Sequence, residues 1–306
     1  MTDGGSKKTG YFRTLGHRIY LYRESYLLIA PYTLLFALFI IVPVLASIAL
    51  SFTDFNMVNT PKFVGLANFS RLFLDDDVFL IAVKNTLIFS FITGPLCYLL
   101  ALLLAWFINE LTPRLRAFMT FIFYAPSIVG NAFFIWTFIF SGDRYGLLNG
   151  FLMNIGVIQE PIRWLTDSDY LFGVIILVQI WMSLGAGFLS FIAGLQSVDK
   201  SLFEAGALDG IRSRWQELWH ITLPSMKPQL MFGAVMQIAS SFGAGSVCSA
   251  LAGFPSTNYA AHTVVLHAQD VGTLRYEMGY ASAVSVVLFL VMIVTKTVIG
   301  AVLKED

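Results

Sequence analysis

Six stretches of this chain run for 18 residues or more without an Asp, Glu, Lys or Arg: 25–53, 85–109, 117–142, 170–198, 228–269 and 278–295. A charge at mid-bilayer costs about 2.5–3.5 kcal/mol on the insertion scale, and a helix needs about 20 apolar residues to cross the hydrocarbon. Runs of this length place the chain in a membrane. Composition agrees, since 57% of the residues are hydrophobic and 12% charged, roughly half the charge of an ordinary soluble domain. So few ionic groups cannot cover a water-soluble body of 306 residues. The same numbers exclude disorder, coiled coil and a secreted disulfide scaffold. Cys97 and Cys248 lie in apolar runs and read as packed side chains rather than a redox pair or metal site. Nineteen basic residues balance 19 acidic ones, which argues against nucleic acid as a partner.

Five runs hold one span each. The 42-residue run is broken by Gly253, Pro255, Ser256, Thr257 and Asn258, leaving one span near 229–250. The expectation is an all-α polytopic membrane protein with six transmembrane helices. The positive-inside rule puts both termini in the cytoplasm, with 13 of the 19 Lys and Arg on the inner side. No cleaved signal is expected, because the first run is too long for one and a 24-residue polar, basic segment precedes it. The chain thus divides into a basic N-terminal segment (1–24), a transmembrane domain (25–303) and a short C-terminal tail (304–306). Within the first segment, Tyr11, Leu15, Ile19 and Tyr22 recur at helical spacing. A helix lying on the inner membrane surface and an unstructured topology signal both fit.

Outer loops 54–84, 141–169 and 252–277 mix aromatics with turn residues, as folded caps do. Asp75, Asp76 and Asp77 read as solvated loop carboxylates rather than a cation site. His262 and His267 fall in the third outer loop and are not read as metal ligands or proton carriers. The inner loop from 199 to 228 holds more than a connector needs. Ser201 and Glu204 have the form of a capping box. Leu202, Ala205, Leu208 and Ile211 lie three apart, the spacing of one helical face. Gly210 interrupts, a second amphipathic stretch follows, and Pro224 ends it.

Glu204-Ala205-Gly206, Asp209-Gly210 and Ile221-Thr222-Leu223-Pro224 resemble the EAA loop of binding-protein-dependent ABC importer permeases, in the maltose-type sugar-permease branch. SFTDF at 51–55, FVGLANF at 63–69, YAPSIVG at 124–130, GLLN at 146–149, FLSFIAGLQSV at 188–198 and MGYASAVSVVLF at 278–289 extend the resemblance over nearly the whole chain beyond residue 25. Two departures stand out in the loop. Gly206 replaces the second alanine, and ten residues rather than nine separate Gly210 from Ile221. One extra residue turns a following helix by about 100°, and the Ile211–Ser213 turn is expected to absorb it. A third departure is Ala252-Gly253-Phe254-Pro255 where many sugar permeases have Gly-Gly-Pro.

The resemblance implies a type I ABC importer permease in the bacterial cytoplasmic membrane. Its partners would be a second permease, two P-loop ATPase subunits holding ATP and Mg2+, an extracytoplasmic solute-binding protein and membrane lipid. No cofactor and no catalytic residue is expected in this chain, which has no phosphate-cradling G-x-x-x-x-G-K-[ST] loop. The implied cycle is alternating access driven by the ATPase. In it Ala205, Gly206 and Leu208 enter the ATPase groove, Glu204 and Asp209 supply polar contacts or caps, and Gly210 turns the chain. Ile221, Leu223 and Pro224 complete the coupling element. Candidate sugar-path residues are Asn131, Trp136, Gln179, Trp181, Gln237, Ser240 and Ser241, with interhelical bonding the competing role. Runs without intramembrane charge argue against an ion-driven carrier or channel. Ser240 and Ser241 lack a base close in sequence, which argues against an intramembrane protease.

Overall fold

The computed structural model describes residues 21–304 except Asn131. Tyr11, Leu15, Ile19 and the candidate path residue Asn131 therefore lie outside the described residues. Among the described residues every regular element is a helix, with one isolated bridge between Thr53 and Phe63. Helix α1 (Arg23–Leu50) has no buried residue, and its Val42–Leu50 portion rests on α14 (Met278–Lys304). Next come α2 (Ala67–Leu74) and α3 (Asp77–Asn109), 33 residues long. Along α3, Thr86, Ser90, Thr93, Cys97, Ala101 and Ala105 form a buried stripe of small side chains three or four apart, while Phe91 and Phe107 point outward. Small residues let neighbouring backbones come close, where dispersion rather than the hydrophobic effect holds helices together in lipid.

The third apolar run is not one helix. It forms α4 (Pro113–Ile128), which ends at an extended Val129, and the short α5 (Phe134–Ile139). A further short helix, α6 (Leu147–Asn154), follows. The fourth run folds as α7 (Ser168–Met182) and α8 (Ala186–Ser197), bent by 40° at the break. Beyond the 199–228 loop, the fifth run gives α11 (Lys227–Phe242) and α12 (Gly245–Ala252), separated at Gly243 and Ala244. Among the described residues four segments are long and apolar enough to cross a membrane: Arg23–Leu50, Asp77–Asn109, Lys227–Ala252 and Met278–Ala301. Counted as one span, the bent pair makes a fifth.

Helices α3, α8 and α11 pack on one another at the centre. Their approach is set by Gly233, where a Cβ would fall 2.3 Å from Cζ of Phe191. Phe191 is buried and meets Tyr98 of α3 edge-on at 5.3 Å, an aromatic pairing of about 0.5–1.5 kcal/mol. One core cluster lies at the end of this bundle nearest the 199–228 loop, built on Ala101, Ala105, Ile108, Phe188, Leu195 and Met226. Two others lie at the opposite end, beneath the caps.

Candidate functional site: the 199–228 loop and the polar centre of the bundle

Helix α9 (Lys200–Leu208) begins at Asp199, whose carboxylate accepts the Ser201 N–H at 3.0 Å. The N-cap is therefore Asp199 and not the Ser201–Glu204 box expected from sequence. Asp and Ser cap about equally well, and Val198 before Asp199 is already extended. Ser201, through its backbone N–H and then its hydroxyl, holds the Asp199 carboxyl below the ordinary carboxylate range. The helix ends in a Schellman motif. Ile211 N–H reaches the Gly206 carbonyl at 2.9 Å, Gly210 N–H turns back to the Ala207 carbonyl, and Gly210 sits at φ 91°, a conformation only glycine takes without strain.

Gly206 is the buried position of α9. A Cβ there would lie 2.7 Å from Ile221 Cδ1 and 3.1 Å from Ile211 Cδ1, so the replaced alanine has made room for two isoleucine tips. The rest of the helix is bare: Glu204, Ala205 and Asp209 are exposed, Leu202 is 44% exposed and Leu208 91%.

Helix α10 follows as Arg214–Glu217, then a π-helical segment Leu218–Thr222, then Leu223–Ser225. Its start is a true capping box, with Ser213 Oγ accepting Gln216 N–H at 3.2 Å and Gln216 Oε1 accepting Ser213 N–H at 3.2 Å. Leu223 N–H closes the π segment on the Leu218 carbonyl. A π turn holds one residue more than an α turn, and this one lies downstream of the Ile211–Ser213 turn in which the tenth residue was expected to be absorbed. Ile221 is buried, Leu223 half-buried and Pro224 exposed, and fully buried Met226 carries the chain into α11 and the adjoining core.

The polar centre is built by α3, α5, α7 and α11. Gln179 Nε2 donates to Ser240 Oγ at 3.2 Å across the α7–α11 contact. Ser241 Oγ donates to the Ile238 carbonyl at 3.2 Å and stands 3.6 Å from where a Cβ on Gly94 would be. Trp136 and Trp181 meet edge-on at 5.4 Å. Three buried groups here, Trp136 Nε1, Gln237 Nε2 and Ser90 Oγ, have no hydrogen-bond partner among the described residues.

At the cap end, Asp76 corrects the reading of 75–77 as solvated. Its Oδ1 accepts the Phe79 N–H at 2.9 Å as N-cap of α3, while Oδ2 takes Tyr280 Oη at 2.6 Å and His267 Nε2 at 3.1 Å. Burial works against the charge, but the Tyr280, Phe79 and His267 donors outweigh it and hold the carboxyl low. His262 Nε2 lies 3.4 Å from His267 Nδ1. Both imidazoles are pushed down, His262 by burial and then by His267 to about 4, and His267 by burial. The second cap turns on buried Asn149, whose Nδ2 donates to the carbonyls of Ser141, Asp143 and Ile162. Its Oδ1 accepts from Ile162 N–H and Trp164 Nε1.

Residues 97–304 match the family described as the binding-protein-dependent transport system inner membrane component. The chain belongs to that family. The permease is 31% identical over 274 residues to the probable ABC transporter permease protein YesP of Bacillus subtilis, covering 88% of this chain and 86% of the relative. It is 35% identical over 218 residues to the lactose transport system permease protein LacF of Rhizobium radiobacter, covering 69% and 70%. Among solved structures it shares its fold with a bacterial ABC transporter involved in the import of the acidic polysaccharide alginate, at a TM-score of 0.77 and 23% identity over 95% of this chain and 98% of that one.

Of the sequence-named residues, the structure joins Gly206 with Ile221, Gln179 with Ser240 and Trp136 with Trp181. It leaves Glu204 and Asp209 exposed. Among the described residues neither Ser240 nor Ser241 bonds a histidine; Ser240 accepts from Gln179 and Ser241 donates to the Ile238 carbonyl. Sequence reasoning missed Ser90 and Thr93, although small polar residues at helical spacing inside a run of Leu and Phe were a usable signal.

Proposed function

We propose that the permease forms, with a second permease subunit, the path by which an ATP-driven importer moves a neutral sugar or oligosaccharide across the bacterial cytoplasmic membrane. The transmembrane domain is 25–303, it crosses six times with both termini inside, and α4 with α5 is the broken third span. Two P-loop ATPases holding ATP and Mg2+ dock on the α9 face of Leu202, Ala205 and Leu208, with Glu204 and Asp209 at its polar edge. A solute-binding protein delivers cargo from outside. The observation that carries this reading is the 91% exposure of Leu208 on a helix end fixed by a Schellman motif. An apolar side chain held out rigidly is what a groove on another protein needs.

Closure of the ATPase pair would draw on α9 and, through the Gly206–Ile221 contact and buried Met226, tilt α11, with α3 packed on it, against α5 and α7. That motion would open the polar centre alternately to either side. The cargo is assigned as a neutral sugar because the centre offers amides, hydroxyls and indole faces, whereas a phosphate would call for Arg or Lys. Gln179, Gln237, Ser240 and Ser241 would take hydroxyls, and Trp136 and Trp181 a sugar face.

The test is tagged purification from native membranes, identification of co-eluting subunits, and uptake into liposomes of labelled lactose, an arabinooligosaccharide and sn-glycerol 3-phosphate. A second permease, an ATPase and ATP-dependent sugar uptake are expected. Uptake of sn-glycerol 3-phosphate alone would move the cargo to phosphate esters. Movement of solute by this chain alone without ATP would replace the importer with a carrier.

A further inference from the structure

Two contacts fasten the second half of the 199–228 loop to a helix far from it in sequence. The Trp215 ring of α10 lies on the Trp106 ring of α3, centroids 4.9 Å apart. Four residues on, at the C-cap of α3, Glu110 Oε2 pairs with Arg214 Nη2 at 3.2 Å, while Arg214 Nη1 holds Glu217 at 2.8 Å. Trp106 packs against the core cluster that contains Ala105, Ile108 and Met226. The junction past Glu110 is braced as well, because Arg116 Nη2 donates to the Asn109 and Leu111 carbonyls at 2.7 and 3.2 Å.

Without these contacts, α10 would reach the bundle through its covalent passage into α11, and a pull on the loop would move α11 past α3. We propose that Trp106, Glu110, Arg214 and Trp215 are positioning residues that clamp α10 to α3, so that α3 and α11 move as one when the loop is displaced. This rests on the importer reading given above. The clamp reaches the polar centre through the helix itself. Ser90 and Gly94 lie on the same α3 as Trp106, and at 1.5 Å per residue Ser90 is about 24 Å from Trp106. Gly94 faces Ser241 of α11, the pairing that independent motion would disrupt. The aromatic pair supplies the hold and the ion pair its direction. Arg214 and Glu110 are 66% and 44% exposed, and pairs this open contribute little alone.

Trp215 is 55% exposed, so Trp215→Ala removes a ring without opening the core. The complete complex is assayed in liposomes for ATP hydrolysis and for uptake of labelled lactose, arabinooligosaccharide or sn-glycerol 3-phosphate, whichever the wild type carries. Trp215→Ala and Trp106→Ala are expected to retain the ATPase subunits and hydrolysis but lower uptake per ATP at least fivefold. Trp215→Phe should restore most of it, and Glu110→Arg with Arg214→Glu should work better together than either alone. Unchanged uptake per ATP in both tryptophan variants overturns the clamp. So does an equal fall of uptake and hydrolysis that Trp215→Phe does not rescue, since the ring would then serve assembly only. A wild-type complex that yields no ATPase overturns the importer reading itself, a different result.

Discussion

Gly206→Ala and Gly206→Leu should part company, and the structure says by how much. An alanine Cβ would stand 2.7 Å from Ile221 Cδ1 and 3.1 Å from Ile211 Cδ1, against about 3.5–4.0 Å for unstrained carbon contact. Both obstacles are side-chain tips that can swing aside, at about 0.5–1.5 kcal/mol for an off-rotamer torsion. Alanine is also the better helix former by about 0.8–1.0 kcal/mol, so the two effects cancel to within about 1 kcal/mol. Leucine has no such escape, because Ile221 is 8% exposed and would have to leave its site. Losing that burial costs about 2–3 kcal/mol, which lowers the ratio of intact to disrupted loop about 30- to 150-fold on the scale of tenfold per 1.4 kcal/mol. The assay is the ratio of ATPase to permease in complexes purified from membranes, with hydrolysis and uptake measured on the same material. Gly206→Ala should match the wild type, whereas Gly206→Leu should insert normally and lose its ATPase. Adding Ile221→Ala to Gly206→Leu should recover part of the loss by vacating space. If alanine is as damaging as leucine, or if Ile221→Ala worsens the leucine variant, the packing account of the loop is wrong.

Asn149→Ala leaves five neighbouring polar groups of a buried hub without their shared partner, a loss of about 3–4 kcal/mol at about 1 kcal/mol per hydrogen bond. Trypsin should cut faster at Arg144 and Arg163, and Asn149→Asp, which turns a carboxylate toward three carbonyls, should be worse. His262, lowered from 6.5 to about 4, protonates first in the unfolded chain. Its contribution is full above pH 6.5 and fades as pH falls toward 4, amounting to about 2 kcal/mol lost by about pH 5. Thermal unfolding in detergent at neutral and acid pH should show this loss, and His262→Phe should flatten it. Gln179→Leu leaves Ser240 Oγ without its interhelical partner. Stability should change by no more than about 1 kcal/mol while the KM for sugar uptake rises, and an unaltered KM would return Gln179 to a purely structural role.

The charge-free runs located each bundle helix because insertion energetics are written residue by residue. They did not reveal where a run would break. Val129-Gly130 after Pro126 ended α4, and Ser183-Leu184-Gly185 bent α7 from α8, both signals that an apolar run of the right length conceals. The Asp209-Gly210 turn was legible, since glycine at a helix end has one dominant use. The α9 cap was misplaced because Asp199 and Ser201 are both good caps and only the backbone path chooses between them. Least legible were the distant pairings: Asp76 with His267 and Tyr280, Gln179 with Ser240, and Trp106 with Trp215. They join positions 61 to 204 residues apart, and periodicity within a helix carries no record of what it will meet.

The π segment at Leu218–Thr222 also bears on how loops of this kind can be exchanged between transporters. A graft joined at Gly210 and at Ile221 would cut through the π segment, taking Leu218, Trp219 and His220 from the donor and Ile221 and Thr222 from the host, and the exposed faces on either side would rotate apart. Cutting instead before Asp199 and after Met226 carries the π turn whole, along with the residues on either side of it. Loop swaps made at those points should keep their own aim, and single-residue length differences between donors should then be silent.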